Sequence, residues 1–82
     1  MADQIPLGSP EHVLSLNRLR ALAANDNSPT LTPWERDWIR SQKIRLGDWG
    51  DDTYISEPEA EILRQLVVKL SVFVPPVLAN DN

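Results

Sequence analysis

The chain has no cysteine among its 82 residues, which excludes disulfide staples, thiolate zinc sites and a thiol nucleophile and suits a reducing compartment. Its fold must stand on packing alone. No segment approaches the roughly eighteen uninterrupted apolar residues of a membrane span, and "MADQIPLGSP" lacks a basic stretch leading into an apolar run. A cytoplasmic chain without a membrane anchor is expected. Basic residues are in deficit, eight against twelve acids for a net charge of −4, which discourages non-specific binding to nucleic acid, whose affinity comes largely from neutralised phosphates. Protein partners are favoured. Histidine occurs once, as His12, and dyad or triad chemistry could pair it only with a hydroxyl and an acid that no motif identifies. A structural or solvent-facing role is expected for it.

What is present is helix-start chemistry, three times over. Ser9-Pro10-Glu11 offers a capping hydroxyl, a first-turn proline and an acid at the positive end, and predicts a helix over 10–24 with Leu16, Leu19, Leu22 and Ala23 on one stripe. Asn25, Asp26, Asn27, Ser28 and Pro29 then form a linker. Thr32-Pro33-Trp34-Glu35 has the threonine and glutamate of a capping box and predicts a second helix over 32–46, ended by Gly47 and Gly50. Ser56-Glu57-Pro58-Glu59 repeats the signal and predicts a third helix over 57–73, stopped ahead of Pro75-Pro76. Its core stripe would be Ile62, Leu63, Leu66, Val67, Leu70 and Phe73. A short extended piece at 53–55 has no β-rich partner and makes no sheet by itself.

The expectation is an all-α, three-helix domain over 9–74, with a flexible N-terminus over 1–8 and a proline-containing tail over 75–82. At this length a chain buries only about 60 to 65% of its unfolded surface, so the core is small. No deep catalytic cleft is expected.

All three tryptophans, Trp34, Trp38 and Trp49, fall within "LTPWERDWIRSQKIRLGDWGDD". At about 100° per residue, Trp34, Trp38, Ile39, Gln42 and Leu46 share one face of the second helix, and Arg36, Arg40 and Lys43 share the opposite one. Two readings of the aromatics stand. Either Trp34 and Trp38 fill a core too small to be completed by leucine, or at least one ring stays exposed and anchors a partner, since Trp and Arg dominate binding hot spots. Trp49, placed on the loop and flanked by acids, is the ring expected outside. The basic stripe is either a solvated face paired with nearby acids or a phosphate grip. Asp48, Asp51, Asp52, Glu57, Glu59 and Glu61 follow without an intervening cation, an awkward neighbour for DNA.

The acidic loop does not match the ligand order of a calcium site, no Gly-rich phosphate loop occurs, and a loop on a three-helix domain does not hold carboxylates across a cleft. No cofactor, metal site or enzymatic activity is expected. Val68 and Val72, away from the main stripe, and the apolar run "VFVPPVLA" are either covered by the first helix or form a wall of a groove for a helix or peptide. Trp34, Trp38, Trp49, Val68, Val72 and Phe73 are the candidate partner contacts, with Arg36, Arg40, Lys43, Asp51 and Asp52 as electrostatic ones.

The succession "AANDNSP", "LTPWERDWI" and "ISEPEAEILRQLVVKL", covering roughly residues 22–70, resembles small helical proteins of alphaproteobacterial mobile elements. Within that type the chain resembles the QseM-like antiactivators of rhizobial integrative and conjugative elements. The resemblance implies a chain that sequesters transcriptional activators, a LuxR-type quorum-sensing regulator and an excision activator, to keep element transfer repressed; a monomer is expected when the chain is free. The glutamate-proline opening of the third helix departs from that pattern. Two alternatives remain: a small DNA-binding regulator using helix 32–46, and a phage-type inhibitor of a host defence protein.

Overall fold

A hydroxyl cap followed by a proline-bearing first turn opens each α-helix of the computed structural model, which describes residues 3–77. The helices are α1 (Pro10–Ala23), α2 (Pro33–Trp49) and α3 (Glu57–Leu70), with one short 3-10 turn, Gly50–Asp52, after α2. This is a small all-α three-helix domain. The Ser9 hydroxyl accepts from the His12 backbone N–H at 3.1 Å. The Thr32 and Ser56 hydroxyls accept from the N–H groups of Glu35 and Glu59, whose carboxylates return bonds of 2.8 and 2.9 Å to the cap backbones. Each box satisfies donors that the first turn of a helix leaves free.

Helix α1 lies at the centre, packing against both α2 and α3, which touch each other less. Leu16, Leu19 and Leu22 of α1 meet Ile39 of α2 and Ala60, Leu63 and Leu66 of α3, closed at the ends by Ile5, Leu31 and Ile55. Trp38, Leu46, Ile62, Val67, Leu70 and Val72 pack around this centre without being fully buried. No helix among the described residues is long and apolar enough to cross a membrane.

Three boundaries differ from expectation, each for a local reason. Helix α2 does not stop at 46 but continues through Gly47 to Trp49, and the chain turns at Gly50, whose φ of +56° few side chains tolerate. A glycine on an exposed helical turn weakens the helix by about 1 kcal/mol, which does not suffice to end it. Helix α3 stops at Leu70, three residues short of Phe73. Ser71 takes the left-handed conformation at φ 55°, and the N–H groups of Ser71 and Val72 return to the carbonyls of Val68 and Val67 at 3.2 and 3.4 Å. That is a Schellman stop made without glycine.

The third difference is the N-terminal segment. Residues 3–8 are not a loose arm: Ile5 is buried in the core, and its N–H donates to the Ile55 carbonyl at 2.9 Å. The Asp3 carbonyl accepts from the N–H of Glu57 at 2.6 Å, one of the free donors of the first turn of α3. The extended piece at 53–55 therefore has a partner after all. The pairing amounts to a single antiparallel bridge, Gln4 with Ser56, and makes no sheet.

Candidate interaction surfaces

Helix α2 sends its buried face inward through Ile39 and Gln42, and this orientation sets where its tryptophans fall. Trp34 is 61% exposed and Trp49 66% exposed, while Trp38 is half-buried against the core. The core is built of isoleucine and leucine with Ala60, and contains no tryptophan among the described residues. Trp34 lies on Trp38 with ring centroids 6.4 Å apart and planes 17° from parallel, an offset stack that holds the outer ring in place. Trp49 is the last residue of α2 and not a loop residue. Fifteen residues separate it from Trp34, about 22 Å along a helix, so the three rings do not form one patch.

Polar clamps join α2 to α3 beside the stack and farther along the helix. The Lys69 ammonium donates to the Glu35 carboxylate at 2.6 Å, and that bond, followed by the one from the Thr32 backbone, holds the Glu35 carboxyl below its ordinary value. Farther along, Arg45 reaches Glu59 at 3.1 Å, Gln42 at 2.8 Å and the Tyr54 carbonyl at 2.7 Å. On α3 itself Arg64 holds Glu61 down to about 2.

The expected basic stripe is turned toward the α1–α2 linker. Arg40 donates to Asp26 at 3.2 Å and to Asn27 at 2.9 Å, Lys43 stands 3.9 Å from Asp26, and Arg36 reaches the Ser28 carbonyl at 3.4 Å. These cations brace the linker. Among the acids, Asp51 pairs with Arg20 at 2.7 Å, and Asp52 is exposed beside it. No three His, Asp or Glu side chains among the described residues come together as metal ligands would.

Val68 and Val72 do not share a surface. Val68 is 67% exposed on the outer face of α3, whereas the turn at Ser71 brings half-buried Val72 beside Val67. Phe73, assigned to the core stripe by its spacing, is 79% exposed because the helix has ended before it. The chain from Val72 to Val77 then runs over α1, and a groove of about 610 Å³ opens between them, walled by Leu14, Val67, Val72, Val74 and Val77 with Glu11 and Arg18 at its rim. Helix α1 is thus the opposite wall and not a lid. The apolar segment beyond Val77 lies outside the described residues.

One feature was not foreseen, and His12 takes the structural one of the two roles expected for it. Ile44 is 68% exposed on α2, and the signal for it, a second set of positions at three-and-four spacing, lies outside the core stripe. His12 is buried: its Nε2 donates to the Thr53 carbonyl at 2.8 Å and its Nδ1 accepts from the Gly8 N–H at 3.0 Å. Because Gly8 can only donate there, the ring proton resides on Nε2. Comparison of the chain with protein-family models, curated proteins and solved structures returns no match.

Proposed function

We infer that the chain is a non-enzymatic protein-binding regulator, an antiactivator that occupies the surface of a transcriptional activator. One observation carries the reading. Trp34, Ile44, Trp49, Val68 and Phe73 are exposed on a domain whose core is filled without them, and large apolar and aromatic side chains outside a finished core are what partner anchors consist of. The resemblance to QseM-like antiactivators supplies the class of partner: a LuxR-type quorum-sensing regulator and an excision activator of a conjugative element.

A DNA-binding role for α2 fits the surface less well. Arg40 and Lys43 share Asp26, Arg36 is on a linker carbonyl, and Asp48, Asp51 and Asp52 stand at the end of the same helix. A phage-type inhibitor of a defence protein would use the same anchors. The deciding experiment is affinity capture from the native host with identification of the retained proteins by mass spectrometry. Enrichment of a transcriptional activator is expected. Enrichment of a defence enzyme would replace the antiactivator reading, and micromolar duplex binding weakened by salt and by Arg40→Glu would replace both.

A further inference from the structure

The side of α2 facing away from the core carries a second pattern. Trp34, Asp37, Ser41, Ile44 and Asp48 succeed one another at spacings of three, four, three and four, and all five are exposed. At 100° per residue they lie within an arc of about 80°. This is the spacing with which one helix presents a seam to another at a shallow crossing angle. Nothing among the described residues covers it.

The seam is preorganised. Trp38 supports the Trp34 ring from below, and the Glu35–Lys69 bond ties the first turn of α2 to α3, so a partner need not spend binding energy on ordering the anchor. Ile44 gives a second apolar contact at the other end. Ser41 lies between them and is small enough for a second backbone to come close.

Charge selects the occupant. Among the described residues Asp37 and Asp48 have no ion pair, whereas the cations flanking the seam are engaged, Arg40 by Asp26 and Asn27, and Arg45 by Glu59. The seam therefore presents two uncompensated carboxylates beside two apolar anchors. A guanidinium on Asp37 is within one helical turn of the exposed Trp34 ring, a combination that favours arginine over lysine. A second copy of this chain is a poor match, since its seam would bring two more carboxylates and no free cation. Nucleic acid is repelled for the same reason.

We propose that the outer face of α2 receives a basic amphipathic helix of the partner protein, with apolar side chains on Trp34 and Ile44 and arginines on Asp37 and Asp48. The proposal rests on the protein-binding reading above and assigns its site. The test is an NMR titration of the full chain with an alanine-based helical peptide about three heptads long, with leucines at three-and-four spacing flanked by arginines. The same peptide with glutamates in place of the arginines is titrated beside it.

The arginine peptide is expected to shift the Trp34 indole N–H and the amides of Asp37, Ser41, Ile44 and Asp48. Ile44→Asp and Asp37→Lys should each weaken it by about 10-fold or more, with the circular dichroism unchanged, while Gln65→Lys, a cation added on α3, should not. The double variant Asp37→Lys/Asp48→Lys should bind the glutamate peptide instead. Equal binding of the two peptides by the wild-type chain, shifts confined to the α1–tail groove, or a wild-type dimer that Ile44→Asp dissolves would each overturn the proposal. Capture of one host protein by wild type and Ile44→Asp alike would overturn this face and leave the protein-binding function standing. A wild-type chain that captures no protein while still holding the peptide would do the reverse.

Discussion

His12 shows how much one residue can settle in a chain of this size. Its ring spans the N-terminal segment and the loop after α2, accepting from Gly8 and donating to Thr53, and it is buried while doing so. An alanine there leaves a void and strips partners from a backbone N–H and a buried carbonyl. We expect His12→Ala to lower stability by about 3 kcal/mol in urea unfolding. A loss under about 0.5 kcal/mol, the range of ordinary surface substitutions, would mean that the ring does not join the two segments. Nothing in the sequence around position 12 announced this, because both partners are backbone atoms and one comes from 41 residues away. A single histidine on a helix carries no local sign of what its far side touches.

At the scale of the element, legibility follows the range of the interaction. The three helix starts were readable because a cap is complete within four residues, and each is made with the side chains expected. The ends were not. Phe73 continues the apolar stripe of α3 by its spacing, yet the helix ends at a non-glycine residue in the left-handed region, for which no strong sequence signal exists. The pairing of Ile5 with Ile55 joins segments fifty residues apart and lies outside any local pattern. Ser71 makes the α3 end testable. Relieving its left-handed strain with Ser71→Gly should raise stability by about 1 kcal/mol, visible as a higher urea midpoint at unchanged m-value; a lower midpoint would contradict the geometry.

The same scale governs the response to acid. Glu35 closes the cap of α2 and accepts from Lys69 of α3, so its carboxyl titrates below the ordinary value of 4.5. A carboxyl lowered in the folded state contributes stability that is fully present above its unfolded value and is lost as pH falls through the folded one. The domain should therefore lose stability below about pH 4.5, and Glu35→Gln should be less stable at neutral pH with a shallower acid dependence. Parallel curves for wild type and Glu35→Gln would show that the α2–α3 clamp does not contribute. Glu61, held down to about 2 by Arg64, shifts in the same direction, but it is exposed and its partner is one turn away on the same helix, so it reports on α3 alone.

For the whole molecule, the question is what the tryptophans do for a domain organised around α1. Helix α2 enters the core through Ile39, with Trp38 and Leu46 packed at its margin, while Trp34 and Trp49 project outward. The sequence placed Trp34 and Trp38 on one face correctly. It could not say that this face lies at the edge of the core, because that depends on how far α2 is rotated about its axis against α1. The structure now separates the two rings. Trp38→Ala removes packing from the core margin and should cost about 3 kcal/mol, a large part of what a domain this small has to lose. Trp34→Ala removes the outer member of a stack and should cost about 1 kcal/mol, leaving the helical signal intact. Partner affinity should run the other way, with Trp34→Ala weakening binding by about 2 kcal/mol or more, as at a hot spot. Urea unfolding and partner titration on Trp34→Ala, Trp38→Ala and Trp49→Ala, together with Val68→Asp, resolve the two contributions. If Trp34→Ala unfolds the domain, that ring belongs to the core and the seam on α2 loses its anchor. If Trp34→Ala keeps both fold and affinity while Trp49→Ala or Val68→Asp abolishes binding, the partner docks at the far end of α2 or on α3.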